Sequence, residues 1–214
     1  MMPTLFSYIT FAVVTGKMLS GVPQPATVLG DAHMSLTDRY PVESVNTVFK
    51  DNILLSLAYL RGTQKHGQSV DWQAIEKPFT YSFTLQPGEV FAFHKDVLPE
   101  FSGKVVKTMD SSFGGTDGYK SDGYLVGDGV CHMASILNWA ARDAGLEVVA
   151  PTPHDFAVIP DVPKQYGTAI YVDPNTPASN ARQNLYIQNT KDMPVTFTLS
   201  YKHTVLDVQV SENQ

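Results

Sequence analysis

The sequence predicts an α+β protein, in which a mixed or antiparallel sheet combines with a long N-terminal helix and a central helix that begins at the cysteine. Three observations lead to this prediction. Apolar residues recur every three or four positions over residues 42–60, which is typical of an amphipathic helix. Apolar and polar residues alternate over residues 79–85, which is typical of a half-buried strand. Further strand signals are concentrated in the second half of the chain, which favours pairing between neighbouring strands there.

The composition indicates a folded protein without disulfides. Of 214 residues, 43% are hydrophobic and 17% are charged, whereas a disordered chain carries more charge and fewer apolar residues. A single cysteine excludes a disulfide scaffold within one molecule. The formal net charge of −6 argues against nucleic acid or an anionic membrane surface as the main partner. The length suits one domain with a short appendage.

Residues 1–35 are predicted to be a targeting segment and linker, and residues 36–214 a single domain. An apolar run at 5–14 contains no acidic residue, and small residues and prolines follow it. This pattern favours a signal peptide or a membrane anchor at 5–16, and with it an extracytoplasmic location. No basic residue precedes the run, and it is shorter than the roughly 20 residues of a membrane span. A first β-strand is therefore the alternative, and residues 21–38, which lack a clear period, are interpreted as a linker.

The remaining elements follow from the same patterns. The first helix is predicted to begin near Pro41 and to end at Gly62, which provides a C-terminal stop. Strands are predicted at 79–85, 90–93, 104–109, 146–149, 156–159, 168–172, 184–188, 195–201 and 205–210. The scattered histidines are expected to be solvated; these are His33, His66, His94 and His203.

Glycine and aspartate are concentrated between Phe113 and Val130. Glycine permits left-handed backbone and a close approach of the chain to a ligand, although a mobile surface loop has the same composition. The spacing of the aspartates does not fit the twelve-residue calcium loop. The segment leads through residues 127–131 directly into a predicted helix that stops at Gly145.

Cys131 lies in the first turn of this predicted helix. On a helical wheel it falls on the side of His132, Ser135 and Asn138, away from the apolar arc. A helix N-terminus stabilises a thiolate and lowers the pKa of the thiol. Its free N–H groups can also hold the oxyanion that forms when a carbonyl is attacked. Cys131 is therefore a candidate nucleophile, with a small buried hydrophobic residue as the alternative interpretation.

His154 is the best candidate for the base that such a nucleophile needs, and a structural histidine is the alternative. Pro151 and Pro153 restrict its loop. His132 is a poorer base, because adjacent side chains on a helix point about 100° apart. Zinc is disfavoured, since Cys131 and the two histidines show none of the paired spacings of zinc sites. No metal or other cofactor is expected.

At these residues the sequence resembles the VanW family, which is named for a protein encoded in vancomycin-resistance clusters. The similar segments are 86–91, 127–131, 138–145, 153–154 and 184–189, so that the resemblance covers roughly residues 87–210. The sequence also departs from the family pattern. The glutamine that follows the cysteine is replaced by His132, and one glycine of the preceding triplet is Asp128. The arginine expected before the histidine is absent, and Asp155 is the only substitute for a missing carboxylate that would orient His154.

The resemblance implies an exported or membrane-anchored bacterial envelope protein whose partner is peptidoglycan or its stem peptides. Some members have been implicated as cysteine L,D-transpeptidases. In that chemistry Cys131 attacks a stem-peptide carbonyl to form a thioester, His154 moves the proton, and an amine of a second stem resolves the intermediate. The residues expected to support catalysis or to bind the substrate are Gly129, Val130, His132, Ser135 and Asp155. Two alternatives stay open: a non-catalytic wall-binding module, and a cysteine amidase or peptidase in which water resolves the thioester.

Overall fold

The computed structural model describes residues 26–212 and confirms the α+β class. The strands of this range are β1 (Thr27–Ser35), β2 (Phe79–Leu85), β3 (Val90–Ala92), β4 (Val105–Lys107), β5 (Glu147–Val149), β6 (Tyr186–Gln188), β7 (Val195–Lys202) and β8 (Val205–Glu212). The helices are α1 (Glu43–Arg61), α2 (Trp72–Ile75), α3 (Val130–Asp143) and α4 (Pro177–Asn180). The anchor or signal segment proposed at 5–16 lies outside the described residues. Within them, no helix has the length and apolar character needed to cross a membrane.

The strands divide into two four-stranded sheets. Sheet A has the order β1-β8-β7-β2 and is antiparallel throughout. Sheet B has the order β4-β3-β6-β5 and is mixed, because β3 and β4 run parallel. Helix α3 packs against β1 and β8 of sheet A and against β5 of sheet B. The helix that carries the cysteine therefore lies between the two sheets and is held by both.

Strand β1 occupies residues that the sequence analysis assigns to a linker, and for Thr27–Ser35 that prediction was wrong. The strand pairs with β8 along its length and buries Ala32 and Met34. Gly30 packs directly on the end of α3, where an added Cβ would lie 2.5 Å from the backbone nitrogen of Ala144. The alternation is hard to see in the sequence because the buried positions include a glycine and an alanine.

Helix α1 covers the predicted amphipathic segment, but it follows a strand and is not the first element. Every residue from 51 to 60 is buried, and the helix ends at Gly62, which has a left-handed φ of 73°. The first turns are only partly buried, and Val42, expected in the apolar stripe, is 53% exposed. This end of α1 borders a surface cleft through Phe49, whereas the second half crosses the core.

Two predicted strands, at 156–159 and 168–172, are irregular segments in the structure. Phe156 and Val158 are 76% and 87% exposed, so they do not form the face of a buried sheet. The β-pairing of residues 168–172 within the described range is limited to an isolated bridge between Pro153 and Thr168. Both segments are rich in apolar residues, which is typical of strands, but here they line the cleft that α1 also borders.

His94 is buried, so the expectation that it is solvated was wrong. Its backbone N–H donates to Asn184 Oδ1, and its Nε2 lies 3.1 Å from the carbonyl oxygen of Gln183. Burial lowers the pKa of His94, which favours the neutral ring. The other scattered histidines are exposed as expected; these are His33, His66 and His203.

Candidate active site

Helix α3 begins at Val130, so Cys131 lies in its first turn. Gly129 precedes the helix with a φ of 95°, and an added Cβ would lie 2.6 Å from the carbonyl oxygen of Phe49 on α1. Only glycine tolerates both this backbone conformation and this close approach. No side chain of the described residues caps the first turn of α3. Val130 N donates to Gly127 O and Met133 N to Gly129 O, which leaves the N–H groups of Cys131 and His132 for a ligand.

A cleft of about 390 Å³ opens at this end of α3. Its walls are the loop before α1, the glycine-rich loop at 112–129, the loop at 154–158 and the segment 170–172. Cys131, His132 and His154 all line it. The three residues proposed from the sequence as nucleophile and candidate bases thus share one cavity.

The thiol of Cys131 is partly exposed and contacts the backbone of Ile170. Its Sγ accepts a hydrogen bond from Ile170 N at 3.4 Å and lies 3.7 Å from Ile170 O. Burial raises the pKa of the Cys131 thiol, the negative charge of Asp128 adds to this increase, and the bond from Ile170 only partly opposes it. This direction is opposite to the one expected from a helix N-terminus, because loss of solvation exceeds the effect of the helix. Cys131 therefore rests as a neutral thiol and needs a base.

The two histidines meet in the cleft with their rings edge to face, 6.3 Å between centroids. His132 is 5% exposed and His154 is 7% exposed, and within residues 26–212 the Nδ1 atom of each has no hydrogen-bond partner. Burial lowers the pKa of His132 to about 3, with a further contribution from the charge of Arg39. Burial also lowers the pKa of His154. Both rings are neutral at neutral pH, and a neutral imidazole can accept a proton.

Ser135 fixes the segment that reaches the thiol, which we call the strap (residues 166–170). Its Oγ donates to the carbonyl oxygen of Cys131 at 2.7 Å and accepts from Thr168 N at 2.9 Å. Ser135 and Thr168 are both fully buried. The polar arc of α3 therefore faces a packed segment of backbone, and Ser135 acts by positioning that segment.

Asn138, one turn further along α3, holds the same strap. Its Nδ2 donates to Tyr166 O and to Thr168 Oγ1, both at 2.9 Å. The strap in turn holds the second histidine, because His154 N donates to Gly167 O at 3.1 Å. An added Cβ at Gly167 would lie 2.7 Å from His154 O, which explains the glycine there. The polar face of α3 thus positions His154 through the strap.

Asn52 of α1 connects the middle of the glycine-rich loop to its C-terminal end, a role that the sequence analysis missed. Its Nδ2 donates to Lys120 O at 3.0 Å and to Asp128 O at 2.9 Å. Its Oδ1 accepts from Lys120 N at 2.8 Å. The signal in the sequence is an amide in the mostly apolar second half of α1, where Asn52 is fully buried. Such a residue is expected to bond to a neighbouring backbone.

Asp128 and Arg39 also line the cleft. Asp128 Oδ2 is buried without a hydrogen-bond partner among the described residues, and burial together with the charge of Asp122 raises the pKa of Asp128 to about 6. Arg39 is 2% exposed, donates to Pro160 O at 2.8 Å and pairs with Asp161. Asp128 was visible in the sequence as a departure from the family pattern, whereas Arg39 lies in a loop without any motif.

Asp155 does not orient His154. It is exposed and lines a neighbouring pocket, and His154 Nδ1 has no partner in the described part of the chain. The charge of Asp155 raises the pKa of His154 less than burial lowers it. Within residues 26–212, no three His, Cys, Asp or Glu side chains are arranged to hold a metal ion.

The family model described as VanW like protein matches residues 80–211, which is more than half of the chain and includes Cys131, His132 and His154. No curated protein and no solved structure matches the chain. The chain therefore belongs to the VanW family, a family associated with the cell envelope.

Proposed function

We propose that this protein is a cysteine acyltransferase of the cell envelope that acts on peptidoglycan stem peptides. One observation supports it above the others. Four residues that line the cleft beside Cys131 each carry a buried polar atom that lacks a partner within the described range: Arg39 Nε, Asp128 Oδ2, His132 Nδ1 and His154 Nδ1. Unpartnered buried polar atoms destabilise a fold. Their concentration around one thiol favours a ligand that completes their hydrogen bonds.

The first half of the reaction begins with a neutral thiol and a neutral imidazole. His154 accepts the proton of Cys131 Sγ as the sulfur attacks the carbonyl carbon of the donor peptide. Among the described residues the hydrogen bonds of the thiol go to Ile170, so the bond to His154 forms when substrate enters. A C–S bond forms, the scissile C–N bond breaks, and the leaving amine takes the proton from His154. The product is a thioester on Cys131.

The oxyanion of this step is stabilised by the start of α3. The first turn has no side-chain cap at Gly129, and Gly129, Val130 and Cys131 line the cleft. Helix N-termini favour negative charge, and preorganised donors stabilise the transition state more than the planar carbonyl. The helix thus serves the developing oxyanion, although burial outweighs its backbone N–H contribution and raises the pKa of the Cys131 thiol.

The mouth of the cleft fits an extended organic substrate. Leu125, Phe156 and Val158 line the cleft and are 56%, 76% and 87% exposed. Tyr124, next to Leu125, is 98% exposed. Exposed apolar side chains grouped around a cavity are typical of a binding surface. They provide contacts for the methyl and methylene groups of a stem peptide.

The test is a product analysis with the full chain. The protein is incubated with a synthetic stem tetrapeptide that contains a D-amino acid, and products are identified by liquid chromatography and mass spectrometry. We expect a cross-linked pair of stems that is absent with Cys131→Ala, after circular dichroism has shown that this variant is folded.

Two results would replace the proposal with its alternatives. A shortened peptide without a cross-linked product would identify a cysteine amidase or peptidase, in which water resolves the thioester. Binding of an unchanged peptide, with equal affinity in the wild type and in Cys131→Ala, would identify a non-catalytic wall-binding module.

A further inference from the structure

We propose that Asp128 binds the ammonium group of the acceptor, so that the second substrate of this chain is a cationic primary amine. The inference rests on the proposed function, because it names the acceptor for the same cleft. It concerns a residue at which this chain carries a carboxylate in place of a glycine of the family pattern.

The backbone of Asp128 is fixed on both sides. Gly127 and Gly129 have φ angles of 91° and 95°, and an added Cβ would lie 2.9 Å from Phe113 O at the first and 2.6 Å from Phe49 O at the second. The carbonyl oxygen of Asp128 accepts a hydrogen bond from Asn52 at 2.9 Å. The side chain is therefore presented to the cleft from a rigid turn three residues before Cys131.

The charge of Asp128 is only partly compensated by the residues that the structure describes, through a hydrogen bond from the backbone of Asp122. Its Oδ2 is buried without a partner, and Asp128 forms none of the ion pairs within residues 26–212. The nearby cations are engaged elsewhere, since Lys120 pairs with Asp51 and Arg39 with Asp161. The charge of Asp122, which raises the pKa of Asp128, has the same sign.

Asp128 therefore has no cationic partner within the described part of the chain, since Arg39, which also lines the cleft, pairs with Asp161. The pKa of Asp128 is raised to about 6, so most molecules carry this charge at neutral pH. His132 and His154, whose pKa values are lowered by burial, are neutral there and supply no positive charge. A partly buried carboxylate is stabilised by a cationic hydrogen-bond donor. An ammonium group fits this requirement and is also the resting form of an acceptor amine.

The position of Asp128 also suits the second half-reaction, in which the acceptor amine attacks the thioester on Cys131. The ammonium held by Asp128 gives one proton to His154, and the freed lone pair of nitrogen attacks the thioester carbon. The C–N bond forms and the C–S bond breaks, while the second proton of the nitrogen passes to Cys131 Sγ. One amide and one thiol result, and the proton on His154 returns to solvent. Water gains no comparable attraction from the carboxylate charge, so Asp128 favours transfer over hydrolysis.

The test compares two nucleophiles on the same acylated protein. Full-length chain is acylated on Cys131 with a small thioester donor, and the adduct is confirmed by intact mass. The adduct is then treated in separate reactions with a primary alkylamine, which is cationic at neutral pH, and with hydroxylamine, which is uncharged. For each nucleophile we measure the rate at which the thioester is consumed, with the amide or the hydroxamate as product. We expect Asp128→Asn to lower the ratio of the alkylamine rate to the hydroxylamine rate by about tenfold or more, as for the loss of one charge-assisted hydrogen bond. Asp143→Asn, an exposed carboxylate at the far end of α3, is the matched control and should leave the ratio unchanged.

The outcomes separate this inference from the proposed function. An unchanged ratio in Asp128→Asn, or an equal loss of both rates, would overturn the role of Asp128 while the acyltransferase proposal stands. Failure of the wild type to form any thioester on Cys131 would overturn the proposed function and the inference with it.

Discussion

Polar side chains are satisfied in sheet A and unsatisfied in the cleft at the start of α3. On the outer face of sheet A, Ser82 bonds to Thr198 and Thr84 to Thr196, each pair at 2.9 Å across paired strands. Around the cleft, four of the five buried side-chain atoms without partners in the described range belong to lining residues. The sheet is thus complete as folded, whereas the cleft is complete only with a ligand.

This contrast has an energetic meaning. Cross-strand pairs contribute about 0.2–1 kcal/mol each to sheet stability. A buried polar group without a partner costs about 1–3 kcal/mol. A chain that leaves such groups around one thiol gives up stability at that place, and functional sites are where this is expected. Experiments that separate the two regions therefore test the interpretation of the cleft.

The largest expected effect on stability comes from acid. Because the folded state holds His132 neutral, with a pKa of about 3, the unfolded chain binds a proton there first as the pH falls below about 6.5. Through His132, the free energy of unfolding should decrease by about 3 kcal/mol between about pH 7 and about pH 4, at about 1.4 kcal/mol for each pH unit. His154, whose pKa is also lowered, adds a contribution of the same sign. Asp128, whose pKa is raised to about 6, contributes with the opposite sign, so the comparison of the wild type with His132→Gln isolates the histidine.

Urea unfolding at a series of pH values measures this dependence in the wild type and in His132→Gln. We expect a clearly shallower decrease in the variant, because glutamine does not titrate. His33→Gln, on the exposed face of β1, is the control and should retain the wild-type slope. Equal slopes in the wild type and in His132→Gln would contradict the burial of a neutral ring in the cleft.

A smaller effect is expected from the glycine that turns the chain into α3. Gly129→Ala should lower the free energy of unfolding by about 1–3 kcal/mol, since the alanine must adopt a left-handed φ and its Cβ meets the backbone of Phe49. Gly115→Ala is the matched control, because Gly115 is exposed with open space around it, and should change stability by less than about 0.5 kcal/mol. Chemical denaturation of both variants measures these changes in the free energy of unfolding. Equal stability of the two would show that the turn before Cys131 is not as tightly packed as described.

Sheet A was largely predictable from the sequence, because one face is buried and the alternation of residues is regular. The predicted β2 has the observed bounds, and β7 and β8 differ from their predictions only at one end. Strand β1 was missed, since its buried positions include Gly30 and Ala32, which carry little apolar signal. The division into two sheets depends on which strands pair, and no local pattern contains that information.

The main residues of the cleft were predictable from the sequence, but their burial and their pKa values were not. The position of Cys131 at a helix start identified it as the candidate nucleophile, and the proline-restricted loop favoured His154 as the candidate base. Whether the pKa of the Cys131 thiol is raised or lowered depends on its burial, which the strap provides. The apolar residues at 156–159 and 168–172 led to predicted strands, whereas in the structure these segments are irregular and line the cleft. Asn52 and Arg39 act through contacts with loops far along the chain, which local patterns do not contain.

The most direct test of the central claim is the intact mass of the full chain after reaction with a stem tetrapeptide. We expect an acyl adduct that peptide mapping places on Cys131, formed about 10²-fold or more slowly in His154→Ala because a general base is lost. His33→Ala should react at the wild-type rate. The proposed mechanism is wrong if Cys131 in the folded protein is alkylated by iodoacetamide yet forms no adduct with the peptide, or if His154→Ala forms the adduct as fast as the wild type.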